Sequence, residues 1–193
     1  CNHFGGSIDL LVNNAGTAVL GLVENVPLDI YEEIFKVNFF GPLALIQAVV
    51  PDMKKKRIGQ IVNISSGVGK RGLPGVSPYC ATKFSLNALT ESIRVELDPF
   101  GVNVLSISPG LATTEFQNRS QIFGELKETF GGGGGLSPVI VARKVVEAVE
   151  NNKRDVNLSI RSKIVCHINY WFPTLIDYIL KRKAMSGFKP KSD

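Results

Sequence analysis

The chain has 193 residues, enough for one domain with a sizeable core, and at 44% hydrophobic and 20% charged its composition excludes a disordered or fibrous protein. The net charge of +5 is uneven: residues 1–150 carry 13 Lys and Arg against 14 Asp and Glu, while residues 151–193 carry 9 against 3. The basic excess therefore belongs to the C-terminal segment and comes with no base-stacking platform, which argues against nucleic-acid binding, and the three scattered cysteines form neither a CxxC nor a metal-ligand cluster.

Ile8–Asn13 is a short apolar run ending in Asn13-Asn14-Ala15-Gly16, the pattern of a buried parallel strand running into a turn. Leu28–Lys56 reads as one long helix or two in sequence, with Ile30, Ile34, Val37, Leu45, Ile46 and Val49 at helical spacing around Gly41-Pro42. Lys54-Lys55-Lys56-Arg57 falls at its C-terminal end, where cations complement the helix dipole; an anion site is the alternative. Gln60–Ser65 is a second strand, followed by a glycine-rich loop. Pro78–Pro99 is a second long helix, with Phe84, Leu86, Leu89, Ile93 and Leu97 as its apolar positions.

Asn103–Ser108 is a third strand, stopped by Pro109-Gly110. Gly131–Gly135 is five glycines in a row, a mobile flap or the hinge of a closing lid. Val139–Asn151 is another helix and Asp155–Ile160 a last strand. Strands alternating with helices predict an α/β fold, a parallel sheet with helices on both faces.

The chemistry concentrates at Tyr79-Cys80-Ala81-Thr82-Lys83, with Ser66 thirteen residues upstream. A phenol and an ammonium four residues apart share one helix face. A cation held near a phenol favours its ionised form and is expected to lower its pKa from about 10, making Tyr79 a proton donor and acceptor near neutral pH. Cys80, between them, reads as a small structural helix residue. Asn38 is a poor mid-helix residue, because its side chain competes with backbone hydrogen bonds, and marks either a functional distortion or a kink beside Gly41-Pro42.

Asn13-Asn14-Ala15-Gly16 after one strand, Ser65-Ser66 after the next, Tyr79 and Lys83 on a helix, and Pro109-Gly110 after the third strand resemble the short-chain dehydrogenase/reductase family over residues 7–160. The resemblance implies a Rossmann-type doubly wound sheet and NAD- or NADP-dependent interconversion of an alcohol and a carbonyl. It implies Tyr79 as acid and base, Ser66 rather than Ser65 as the second hydroxyl on the reacting oxygen, and Lys83 as both modulator of Tyr79 and ligand of the nicotinamide ribose. Asn38 would be the fourth member, distorting its turn and holding a water that links the lysine to solvent. Asn14, Ala15, Gly16, Tyr79, Lys83, Pro109, Gly110, Ala112 and Thr114 would border the cofactor. No metal is implied. Relatives pair through the two long helices, so a homodimer or tetramer is expected.

The family's glycine-rich pyrophosphate turn, TGxxxGxG, normally precedes these motifs, and Gly5-Gly6 lacks the strand needed before it. Residues 1–160 are accordingly expected to be the second half of a catalytic domain whose cofactor-binding half is absent from this sequence. A truncated, non-catalytic dimerisation or membrane-surface module is the alternative. The chain is expected to be intracellular, cytoplasmic or peripherally membrane-associated.

Residues 161–193 form an amphipathic basic extension. Trp171/Phe172, Leu175/Ile176 and Ile179/Leu180 recur every four residues as one apolar stripe, with Pro173 breaking or starting the helix and Lys181-Arg182-Lys183 following. The stretch 164–183 fits a helix lying on a membrane surface, or one packed on the protein's own pocket for an apolar carbonyl or alcohol.

Overall fold

The computed structural model describes residues 6–110, 116, 120–124 and 135–187. Strand β1 (Leu10–Asn13) is followed by a three-residue strand β2 (Val19–Gly21). Helices α1 (Leu28–Phe35) and α2 (Gly41–Lys56) are joined without a break by a single π-helical turn, Lys36–Phe40. Then come β3 (Gly59–Ile64), a 3₁₀ turn at Gly67–Gly69, α3 (Ser77–Leu97), β4 (Val102–Ser108), β5 (Gln121–Phe123), α4 (Pro138–Glu150) and β6 (Asp155–Asn157). Two helices, α5 (Ile160–Trp171) and α6 (Pro173–Gly187), close the described chain.

The main sheet is parallel throughout, in the order β1-β3-β4-β6, with Asn13 opposite Asn63 and Ile61 opposite Val104. Because successive side chains point to opposite faces, Ile61 and Val104 pack under Ile46, Val49 and Met53 of α2 and Ile93 and Leu97 of α3. Val62, Leu105 and Ile107 face the other way, against Ala148 of α4. The sheet is thus covered on both sides, as the continuous apolar runs of β3 and β4 require.

β1 differs. It lies at the edge, and Leu10 and Val12 on its α4-side face are 44% and 42% exposed. On that face, no helix among the described residues covers them.

Two readings from the sequence are corrected. The strand expected over Asp155–Ile160 ends at Asn157, because Ser159 caps α5 by accepting the Ser162 amide and Ile160 is already helical. The single C-terminal stripe is two helices, since Pro173 starts a new one: Trp171 ends α5, Phe172 is the joint, and in α6 Ile176 is buried while Leu175 and Ile179 are exposed. The parallel pair β2–β5, Val19 to Gln121, was not anticipated.

Candidate active site

The strands β1, β3 and β4 end at the same rim, and the motif residues sit just past them, where open α/β sheets bind ligands. Two elements fix this rim from below. Asn13 donates to Asn63 at 2.8 Å across the β1–β3 pair, Asn63 donates to Thr90 of α3 at 2.8 Å, and Thr90 donates to the Leu86 carbonyl at 2.6 Å. Asn87 donates to the Gly69 carbonyl at 3.0 Å and accepts from Ser106 at 3.3 Å. A Cβ at Gly69 would stand 2.6 Å from the Asn87 amide nitrogen and 2.8 Å from the Lys83 carbonyl oxygen, so only glycine lets the turn after Ser66 lie on α3.

α3 therefore presents Tyr79, Lys83, Asn87 and Thr90 on one face, at intervals of four, four and three residues. Tyr79 and Lys83 reach the rim, and Asn87 and Thr90 anchor the helix beneath it. Those anchors went unnoticed in the sequence. The signal was available: a polar stripe at helical spacing on the face that ought to be apolar.

Ser66 lies two residues beyond β3; its hydroxyl accepts the Val68 amide at 3.4 Å and stands near enough to Tyr79 to pull the phenol's pKa down. Ser65 is buried with no partner for its hydroxyl. The Lys83 ammonium donates to the Ile64 carbonyl at 2.9 Å and lies 5.7 Å from the Tyr79 ring centroid. Asn38 is buried in the π turn. Its amide nitrogen donates to the Thr17 carbonyl (2.8 Å) and the Thr82 hydroxyl (3.1 Å), and its oxygen accepts the Thr17 amide (2.9 Å). Asn38 thus holds the backbone just beyond Gly16 against α3. The π turn carries the extra residue that turns it inward.

The expected lowering of the tyrosine pKa does not occur. Burial raises Tyr79 to about 12, against the opposing pull of the nearby Ser66 hydroxyl. Its ring packs 5.7 Å from Phe116 and against the cluster of Val19, Val26 and Ile34, while Lys83 points its charge at the Ile64 carbonyl. Burial lowers Lys83 itself to about 8. Spacing along a helix showed that the two side chains would be neighbours; it did not show how dry their surroundings are. Cys80 is structural, its thiol accepting the Leu73 amide at 3.5 Å and pushed up in pKa by burial.

Of the expected cofactor edge, Asn14 and Ala15 are exposed and Gly16 half-buried. A Cβ at Gly16 would stand 3.2 Å from the Asn38 oxygen and 3.8 Å from the Lys83 ammonium, so glycine here lets the backbone lie close against both. Pro109 and Gly110 follow β4; Gly110 takes φ +77°, and a Cβ there would stand 2.8 Å from Ser159 at the start of α5. Ala112, Thr114, Cys1 and residues 131–134 of the glycine run lie outside the described residues.

A family model described as short chain dehydrogenase matches residues 2–122. A dehydrogenase/reductase SDR family protein 7-like from Anopheles gambiae is 32% identical over 188 residues, 93% of this chain and 58% of its own length. Among solved structures, a short-chain dehydrogenase from Streptomyces avermitilis superposes with a TM-score of 0.78 at 28% identity, covering 93% of this chain and 71% of its own. A 3-oxoacyl-[acyl-carrier protein] reductase with bound NAD from Brucella melitensis does so with a TM-score of 0.67 at 28% identity, covering 81% and 63%. The chain spans about half the length of the curated relatives it matches.

Proposed function

The chain belongs to the short-chain dehydrogenase family of oxidoreductases, and on that premise we propose that Ser66, Tyr79 and Lys83 carry the proton side of an NAD- or NADP-dependent interconversion of an alcohol and a carbonyl. The observation that carries this reading is the gathering of the Ser66 hydroxyl, the Tyr79 phenol and the Lys83 ammonium at the sheet rim, with Asn38 beside the backbone of Gly16.

The roles follow from the chemistry. A phenol kept neutral by burial is a proton donor to a carbonyl oxygen. Ser66 donates a second hydrogen bond to that oxygen, stabilising the negative charge that develops there. In the oxidising direction Tyr79 must ionise, and a cation brought beside it favours this. Lys83 is a positioning residue at Gly16, and Asn38 holds the Gly16-Thr17 backbone in place.

A nicotinamide dinucleotide, when bound, supplies or takes the hydride. By the family resemblance the Ala15-Gly16 backbone would border its adenosine ribose and the Lys83 ammonium would take the nicotinamide ribose hydroxyls. Asn14, Ala15, Pro109, Gly110, Ala112 and Thr114 would complete the border. A glycine-rich turn for the pyrophosphate is missing from this sequence. The position of β1 at the sheet edge among the described residues, with Leu10 and Val12 exposed, supports the reading that residues 1–160 form the second half of a sheet continued by further strands.

The deciding experiment titrates NADH and NADPH fluorescence with this chain and with one extended upstream by its own transcript. Enhancement with the longer chain alone supports the reading. Binding by neither removes it and leaves a non-catalytic module. In the longer chain, Tyr79→Phe should lower kcat by roughly 10²–10⁴-fold while leaving cofactor binding unchanged.

The exposed Leu28, Phe40 and Leu45 on α1, the π turn and α2 support pairing of two or four copies through these helices. A second reading concerns 164–183 within the extension 161–193. Exposed Ile164, Trp171, Phe172, Leu175 and Ile179, with Lys181 and Arg182 alongside, support peripheral contact with a membrane surface. Equal sedimentation on liposomes with and without residues 161–193 would end it. An apolar substrate fits either arrangement.

A further inference from the structure

Between α6 and the segment joining Ser66 to Tyr79 lies an open groove of about 540 Å³. Leu73, Pro74, Leu180 and Ala184 give it apolar walls. Its lining carries one ion pair, in which Arg71 Nη2 donates to one carboxylate oxygen of Asp177 on α6.

This pair is incomplete. A guanidinium meets a carboxylate best through two parallel N–H bonds. Here Arg71 engages Asp177 through Nη2, and its Nε, the other arm of that fork, is buried without a hydrogen-bond partner. The two partners are unequally held: Arg71 is 21% exposed, and Asp177 is 64% exposed. A buried donor left unpaired is costly, and an exposed carboxylate is cheap to return to water. The arrangement therefore favours exchange of Asp177 for a carboxylate that can satisfy both nitrogens. Lys181, also on the groove wall, adds a second cation, so the lining holds two positive side chains against one negative.

We propose that this groove binds an aliphatic ligand ending in a carboxylate, whose head group takes Arg71 from Asp177 and whose chain lies along Leu73, Pro74 and Leu180. Asp177 is the internal stand-in for the ligand's head group, and its carboxylate is the chemistry assigned to that group. Release of Asp177 frees α6 from the Ser66–Tyr79 segment. The proposal does not depend on the hydride-transfer reading and is tested without turnover.

Trp171, the sole tryptophan of the chain, stands at the α5–α6 joint and reports on α6. The full chain is titrated with decanoate and, as the neutral control, decanol, below their micellar range, following Trp171 emission and calorimetric heat. Decanoate should bind saturably and decanol about tenfold more weakly. Arg71→Gln should remove that preference. Asp177→Asn, which deletes the competing carboxylate at an exposed position, should instead tighten decanoate several-fold and leave decanol unchanged. The proposal is overturned if decanoate and decanol bind alike, if both substitutions shift the two ligands equally, or if Asp177→Asn weakens decanoate. The opposite signs expected of the two variants separate ligand exchange from a general loosening of α6, which would move both in one direction.

Discussion

The face of α3 that lies on the sheet and the helical pair α5–α6 solve opposite problems. Along α3 the buried groups include Thr82, Lys83, Asn87 and Thr90, polar side chains each given a hydrogen-bond partner inside the protein. Along α5 and α6 the exposed groups include Ile160, Ile164, Tyr170, Trp171, Leu175 and Tyr178, apolar side chains given to solvent. The first arrangement is demanding, because a buried polar group without a partner costs about 1–3 kcal/mol. It returns a fixed geometry, which is what holding Ser66, Tyr79 and Lys83 together requires. The second makes few demands on internal geometry and leaves a surface that something else must cover. Rigidity sits where the proton chemistry is proposed, and adaptable surface sits beside it.

The contrast can be broken by substitution. Its largest expected effect is at Leu105, 1% exposed between the sheet and α4: Leu105→Ala should lower unfolding free energy by about 2–5 kcal/mol in urea denaturation. A smaller loss would mean the sheet core is looser than its burial indicates.

Lys83 gives a change of opposite sign. Its pKa falls from the ordinary 10.5 to about 8, so the folded state disfavours its charged form. Between those values the unfolded chain binds more protons than the folded one, and stability should rise as pH climbs from about 8 towards 10.5. Below about pH 8 the burial penalty is fully present, of order 3 kcal/mol from the shift. Lys83→Met should therefore raise stability at neutral pH, by less than that because the bond to Ile64 is also lost, and should flatten the slope between about pH 8 and 9.5. An unchanged slope would place the lysine in water.

Asn63→Ala should cost about 1–3 kcal/mol, because it leaves Asn13 and Thr90 facing an empty position. Leu175→Ala, on the exposed face of α6, should change stability by no more than about 0.5 kcal/mol. If Leu175 matched Leu105 in cost, the two regions would not differ as described.

How far the sequence reveals this depends on the length of each signal. β3 and β4 were readable from continuous apolar runs, and α3 from a twenty-residue helical period. β2 and β5 are three residues each, too short to carry a period, and they pair across a hundred residues. The C-terminal spacing gave the helical pattern correctly, but four-residue recurrence continues through Pro173 whether or not the helix does. Ser66, Tyr79, Lys83 and Asn38 stand out in the sequence through their order, spacing and family resemblance, and the fold brings Lys83 beside the Tyr79 ring and Asn38 against Thr82 of α3. Their electrostatics are not legible in the sequence, because desolvation depends on Phe116 and the Val19–Ile34 cluster, which are distant along the chain from Tyr79.

The most direct test of the central arrangement is ¹³Cζ-tyrosine NMR of this chain, with Tyr79 assigned by Tyr79→Phe. Near pH 10.5, where a tyrosine in water is mostly ionised, Tyr79 should remain neutral, and Ser66→Ala should shift its resonance. A Tyr79 that ionises near pH 10 and does not respond to Ser66→Ala would show that the two hydroxyls do not meet in a dry site.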